Sequence, residues 1–291
     1  MMVLSVTTFA LLLVLTAALL HALWNLLAKR ASGGIPFTWL FSLLTVVLWA
    51  PIIVVYVLIW RPTLDWLGVL FIFGSATIHL AYFLMLQRGY RHGDLSVVYP
   101  LARGTGPLLS MIGAVILLGE RPTWLAVAGA LLIIAGVFSI AGGPTMLRRR
   151  AAVSGVGYGL LTGLLIATYT LWDKTAVSAI LIAPLLLDYG SSFGRTLLLL
   201  PAIRTRTDEV RYEWRVHRWE AIGIAVLSSL AYILVLTAMI TAPVSYIAPA
   251  RELSILFGAL LGTWLLKEGN MRGRMLSAAV MVAGILLLSL G

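Results

Sequence analysis

Along this chain, long apolar stretches alternate with short clusters of charge, glycine and proline. That pattern predicts membrane-spanning helices. A helix needs roughly 20 apolar residues to cross the ~30 Å hydrocarbon layer. Ten segments qualify: 3–28, 36–60, 66–87, 95–118, 123–141, 153–174, 179–203, 219–240, 243–266 and 271–290. Gly33-Gly34, Arg61-Pro62, Gly93-Asp94, Glu120-Arg121-Pro122 and Gly142-Gly143-Pro144 punctuate them. The seventh is the least regular, because Pro184, Asp188 and Arg195 interrupt it. No sustained two-residue alternation occurs, which excludes a lipid-facing barrel. The first segment has no basic residue ahead of Val3 and exceeds the ~7–15 residues of a signal-peptide core, so a retained span is expected.

Composition changes the picture in one respect: it removes the soluble alternatives. Hydrophobic residues make up 61% of the 291, charged residues 11%, and the mean hydropathy is +1.01. Soluble domains carry roughly 25% charged residues. A chain this apolar lacks the polar surface to coat a globule in water. The absence of cysteine excludes a disulfide scaffold and a Cys-ligated metal, and no cofactor or metal is implied. The net charge of +10 sits in runs such as Arg148-Arg149-Arg150 and Arg204 to Arg218, between apolar stretches. Those read as loops facing anionic lipid headgroups, with no nucleic acid involved. No G-x-x-x-x-G-K and no H-E-x-x-H is present, and no nucleophile–base pair stands out, so an enzyme is not expected.

The chain also repeats itself. Shifted by 148 residues, Leu23-Trp24-Asn25 falls on Leu171-Trp172-Asp173, Arg103 on Arg251, Glu120 on Glu268, and Ala135-Gly136 on Ala283-Gly284. Leu80-Ala81-Tyr82 matches Leu230-Ala231-Tyr232 with a slip of two. Leucine and alanine identities are nearly free in such a composition; Trp, Arg and Glu identities at one offset are not. Residues 1–146 and 147–291 thus form two five-helix repeats. Five is odd, so the second enters the membrane from the opposite side. Inverted repeats place a substrate site near the midplane at their interface and support alternating access. The expected fold is an all-α membrane protein of ten transmembrane helices, and the expected function is secondary transport.

This arrangement resembles the drug/metabolite transporter superfamily, EamA-type, across the whole chain. The features are Trp24-Asn25 and Trp172-Asp173, the fourth helices ending at Gly119-Glu120 and Lys267-Glu268, and fifth helices centred on Gly136 and Gly284. The resemblance implies a central cavity lined by the first, third and fourth helices of each repeat. It also implies export or exchange of small metabolites such as amino acids, nucleosides, sugar phosphates or cationic drugs. One departure concerns orientation. Fifteen basic residues flank the odd-numbered connections and only Arg61, Arg121 and Lys174 the others. The positive-inside rule then puts both termini outside, whereas ten-helix relatives usually keep them in the cytoplasm. The lack of cysteine and the compact loops fit a bacterial inner membrane.

Charges within a membrane span are costly and point to function. Arg103 and Arg251 each lie eight residues into their helix, among Pro100, Gly104, Gly106 and Pro107 in one repeat and Pro243 and Pro249 in the other. Such breakers are expected to interrupt both helices and expose backbone to a polar cavity. A guanidinium fork there suits a carboxylate or phosphate, unless the arginines serve only in structural ion pairs. His79 and Tyr82 share a helix face, as do Ser229 and Tyr232; with Tyr99 these residues are counted in the binding site. His79 is also a candidate proton carrier, or else a satisfied hydrogen-bonding partner.

His21, Trp24 and Asn25 share a face near one end of the first helix, and Tyr169, Trp172 and Asp173 repeat that spacing. They suit two gates on opposite sides, or an interfacial aromatic belt. Asp188, Ser191, Ser192 and Arg195 read first as a self-neutralising stripe packed against protein. Glu252 points about 100° away from Arg251 and need not pair with it. Gly155, Gly159 and Gly163 suit helix packing.

Embedded arginines (103, 195, 251) and carboxylates (173, 188, 252) balance at three each. Both signs in one cavity suit a zwitterion such as an amino acid, and unpaired arginines an organic anion. Small multidrug exporters of the superfamily use a midplane glutamate for cations; the first helix has none. The reading is therefore a secondary transporter of a small anionic or zwitterionic metabolite, monomeric or homodimeric. Protons are the candidate coupling ion. The alternatives are an organophosphate or organic-anion exchanger without proton coupling, and a lipid-head-group flippase.

Overall fold

In the computed structural model, residues 2–31, 34–92, 95–140, 152–258 and 271–291 are described. Among them are ten helices, a further helical stretch at 253–258, and no strand. The ten are α1 (Met2–Ala31), α2 (Ile35–Trp60), α3 (Trp66–His92), α4 (Leu95–Leu118), α5 (Trp124–Ile140), α6 (Ala152–Ser178), α7 (Pro184–Ile203), α8 (Thr207–Thr241), α9 (Val244–Arg251) and α10 (Met271–Leu290). Six of these are long and apolar enough to cross a membrane. The boundary between the expected repeats, at 146/147, lies outside the described residues, as do Lys267 and Glu268.

Local chemistry explains where the helices start and stop. Pro36 and Pro184 open α2 and α7, at positions where the missing N–H costs nothing. Arg61 ends α2 and Gly119 follows α4, both in the left-handed region at φ 42° and 68°. Within the spans, Thr45, Thr105, Ser110, Thr162 and Thr170 turn their hydroxyls onto the carbonyl four residues earlier. An apolar solvent offers those hydroxyls no other partner.

Large side chains such as Leu58, Ile59, Ile116 and Leu117 are exposed, as lipid-facing residues should be. Trp60, Trp66 and Trp124 are exposed at the end of α2 and the starts of α3 and α5. Those three ends lie together on one face of the bundle, where indoles would meet headgroups.

The packing pairs the two halves of the chain. Helix α1 lies against α8 as α6 lies against α3, α2 meets both α7 and α8, α4 meets α9, and α5 meets α10. Glycines permit the closest of these contacts. Gly159 and Gly163 of α6 face Leu101 and Thr105 of α4, while Gly129 of α5 and Gly284 of α10 lie backbone to backbone.

Two elements differ from the sequence reading. Helix α4 runs unbroken to Leu118 rather than breaking near Arg103. Its glycines serve packing instead, Gly104 against Phe138 and Gly106 against Ile166. The basic run ending at Arg218 is helical from Thr207, and joins the span through a kink at His217 (φ −120°, ψ 25°) rather than through a loop. The ninth span does break as expected, directly after Arg251. Helix resumes at 253–258 and passes out of the described residues.

Two charged side chains tie down backbone at one end of the bundle. The Glu120 carboxylate accepts the N–H groups of Val244 (2.7 Å) and Ser245 (2.9 Å) and the Ser245 hydroxyl (2.7 Å). It thereby satisfies orphan donors at the start of α9 and meets the positive end of its dipole. Lys174 donates to the carbonyls of Met239 and Ala242, at the C-terminus of α8. Replacing Glu120 by alanine leaves those donors unpaired, and should cost about 1–3 kcal/mol of stability. Thermal denaturation in detergent checks this; a loss of a few tenths would make the cap dispensable.

Candidate functional site

A cavity of about 580 Å³ lies between the helices and is lined from α1, α2, α3, α4, α6, α7, α8 and α9. Its lining includes Ala28, Gly34 and Arg91, at the ends of α1 and α3 and the start of α2. The mouth is therefore on the face that carries Lys29, Arg30, Arg88 and Arg91. The opposite face is the one held by Glu120 and Lys174. Aromatic rings form much of the wall, among them Trp24, Phe41, Phe83, Tyr90 and Tyr99.

The two arginines singled out from the repeat both line this cavity, yet their surroundings differ. Arg103 is 5% exposed, and its Nε lies 2.9 Å from Glu252 Oε2. That N–H is not aimed at the oxygen, so the contact is ionic rather than a hydrogen bond. Its Nη2 donates to Ser254 Oγ at 3.0 Å. Arg251 is as deeply buried, and no carboxylate pairs with it among the described residues. Its Nη2 donates to Tyr169 Oη (3.2 Å), its guanidinium carbon lies 5.6 Å from that ring's centroid, and its Nε has no partner. Glu252 follows α9 directly with right-handed backbone (φ −70°, ψ −9°), and its carboxylate lies at Arg103 of α4 rather than at the neighbouring Arg251.

Sequence reasoning left Glu252 without a partner, and no local signal could have supplied one. It also ranked Asp188, Ser191 and Arg195 as a packed stripe, whereas all three line the cavity. Arg195 donates to Ser192 Oγ (2.9 Å). Asp188 and Arg195 feel each other's charge without a direct contact, and α7 presents both signs to the cavity. The signal was the i, i+3, i+7 spacing, which puts Asp188, Ser191 and Arg195 on one face; which neighbour that face meets is a tertiary fact.

At the floor, Asp173 of α6 is fully buried. Its Oδ2 contacts His79 Nε2 of α3 (2.9 Å) and accepts the Tyr232 hydroxyl of α8. Tyr232 Oη lies 3.1 Å from the same imidazole nitrogen. His79, Tyr82 and Tyr232 line the cavity; Asp173 does not. Tyr169 stacks on His79 with centroids 4.1 Å apart, and so links this cluster to Arg251.

The two expected gating triplets occupy different levels. His21, Trp24 and Asn25 line the cavity, and Asn25 bonds its own helix at the His21 carbonyl. Tyr169 is in the cavity wall beside Arg251, while Trp172 lies outside the cavity. The Trp172 indole stacks on Phe71 at 4.4 Å, donates to its carbonyl (2.8 Å) and presses against Gly74. Neither tryptophan is a free interfacial belt residue.

Comparison with known proteins agrees with this architecture. Residues 8–142 match the EamA-like transporter family. No curated protein matches the chain. A solved crystal structure is similar over 97% of this chain and 96% of its own, with a TM-score of 0.77 and 16% identity. At that identity the likeness is one of fold alone. The apolar helices are those of an integral membrane protein, and its first half is similar to a family of transporters.

Proposed function

We propose, from the match of residues 8–142 to the EamA-like transporter family, that this chain is a secondary transporter of a small anionic or zwitterionic metabolite. One observation carries the reading: Arg251 is buried in the cavity wall with no carboxylate partner among the described residues. An unpaired buried guanidinium is expensive, and a carboxylate or phosphate entering from the mouth would relieve that cost. Arg103, already neutralised by Glu252, is then a wall residue that fixes α4 against the break after α9. Asp188 supplies a negative pole that an amino group could meet. Cation transport fits poorly, because arginines 103, 195 and 251 all face the same space.

Alternating access is supported by the exchange of partners between the two halves, expected from the repeat at 1–146 and 147–291. By the charge bias, the basic mouth faces the cytoplasm, both termini lie outside, and the conformation is inward-facing. His79 would couple the cycle to protons.

The test is a thermal-shift panel on detergent-purified protein. It compares amino acids, phosphorylated metabolites and quaternary cations on wild type, Arg251→Gln and Arg103→Gln. An anion or zwitterion should stabilise the wild type, and Arg251→Gln should weaken that compound at least about tenfold, the worth of one charge-assisted contact. Stabilisation by cations alone, undiminished in Arg251→Gln, would overturn the substrate class.

A further inference from the structure

The cluster at the cavity floor raises a separate question: what neutralises Asp173? A fully buried carboxylate is costly without a counter-charge. A structural lock would use a residue of fixed charge. The adjacent Lys174 is committed elsewhere, to carbonyls at the end of α8. The side chains that reach Asp173 are an imidazole and a phenol, both on the same oxygen, and Oδ1 has no partner. Both are groups that hold an exchangeable proton. The counter-charge is therefore conditional on a proton being present.

We infer that Asp173, His79 and Tyr232 form a proton-binding site at the cavity floor, and that an anion held at Arg251 and a proton held here bind cooperatively. The second half of this rests on the substrate class proposed above. Access is one-sided, as coupling requires. The His79 side chain is 14% exposed and faces the cavity, whereas Asp173 is sealed. Beyond it, toward the face held by Glu120, Trp172 stacks on Phe71. Alternating access would open that plug and expose the same site to the other side.

The charges around the site set the sign of the linkage. Arg251 of α9 and Arg195 of α7 face it with positive charge, Asp188 of α7 with negative, and Tyr169 of α6 and Tyr232 of α8 as neutral phenols. From α1, His21 faces Arg103 and Arg251. Arg103 of α4 is itself paired with Glu252. Protonating the floor adds a positive charge one ring away from Arg251, because Tyr169 lies between them, stacked on His79 and bonded to Arg251. An anion that neutralises Arg251 removes that repulsion. Each ligand must then favour the other equally, since linkage is reciprocal. The two would travel together rather than exchange.

Two measurements test this separately. In ligand-free protein labelled with 15N-histidine, the resonance lost in His79→Gln should move from its neutral to its protonated form between about pH 9 and about pH 5, the range in which imidazole switches. In Asp173→Asn it should stay neutral, and Tyr232→Phe serves as a second variant if Asp173→Asn misfolds. A His79 signal that never protonates, or that titrates identically without the Asp173 carboxylate, overturns the site. In weakly buffered detergent with a pH indicator, L-glutamate and glycerol 3-phosphate serve as probes. Wild type should take up protons as a probe binds, and His79→Gln severalfold fewer per bound probe. Proton release, or equal uptake in both, overturns the cooperativity. If no anionic or zwitterionic compound stabilises the protein, the substrate class fails, and the histidine titration still decides the proton site.

Discussion

Glu252→Gln will lose about 3–5 kcal/mol of stability, because it strands the buried Arg103 guanidinium without its counter-charge. The carboxylate is fully buried and 2.9 Å from Arg103 Nε. The amide that replaces it carries no charge and cannot compensate the arginine. The loss is aggravated because Arg195 and Arg251 face the same cavity, so the variant leaves like charges there with one carboxylate fewer to balance them. Removing both partners should be far milder. Arg103→Met with Glu252→Gln eliminates the stranded charge, and the double variant should recover most of the loss. Thermal or denaturant unfolding of the four proteins of the cycle gives the coupling directly. A single variant within 1 kcal/mol of wild type, or a double no more stable than the single, would mean the pair does not hold α4 to the break after α9.

The second large effect is expected at the glycine contact between α5 and α10. A Cβ on Gly129 would lie 2.5 Å from the Gly284 carbonyl oxygen and 2.8 Å from the Leu288 nitrogen, and one on Gly284 would lie 2.7 Å from the Gly129 oxygen. These are backbone atoms and cannot rotate aside, so the helices must separate. The apolar seam of Ile133, Met281 and Leu288 would loosen with them. Gly129→Ala and Gly284→Ala should each cost about 1–3 kcal/mol. The double variant should cost less than the sum, because the first substitution already opens the contact the second would strain. Gly157 supplies the control. It is helical with nothing near its Cβ position, so alanine there should be neutral or stabilise by about 0.5–1 kcal/mol. Detergent melting of the set checks all four; a neutral Gly129→Ala would refute the close packing.

Much of the fold was readable from the pattern of residues because lipid leaves a chain few options. An apolar segment of span length must be helical to satisfy its own backbone. Hence the tenth segment begins and ends as expected, and the third differs only by continuing to His92. The readings that failed turn on competition between local and tertiary forces. Glycines and prolines around Arg103 look like helix breakers, but packing of Gly104 and Gly106 against Phe138 and Ile166 keeps α4 continuous. The segment from Thr207 looks like a loop by its charge, yet Glu213 paired with His217 at 2.7 Å supports a helix there.

What the amino-acid order determined by itself is therefore what the solvent governs: the spans, the arginines placed within them and the repeated Trp24-Asn25 and Trp172-Asp173 pattern. What only the tertiary structure decided is which buried charge meets which. Asp173 lies 94 residues from His79, and Arg103 lies on a different helix from Glu252. Spacing along one helix gives a side chain's direction, but its partner is chosen where helices from the two halves converge. In a medium that screens charge poorly, that choice separates an arginine with a carboxylate beside it from one without.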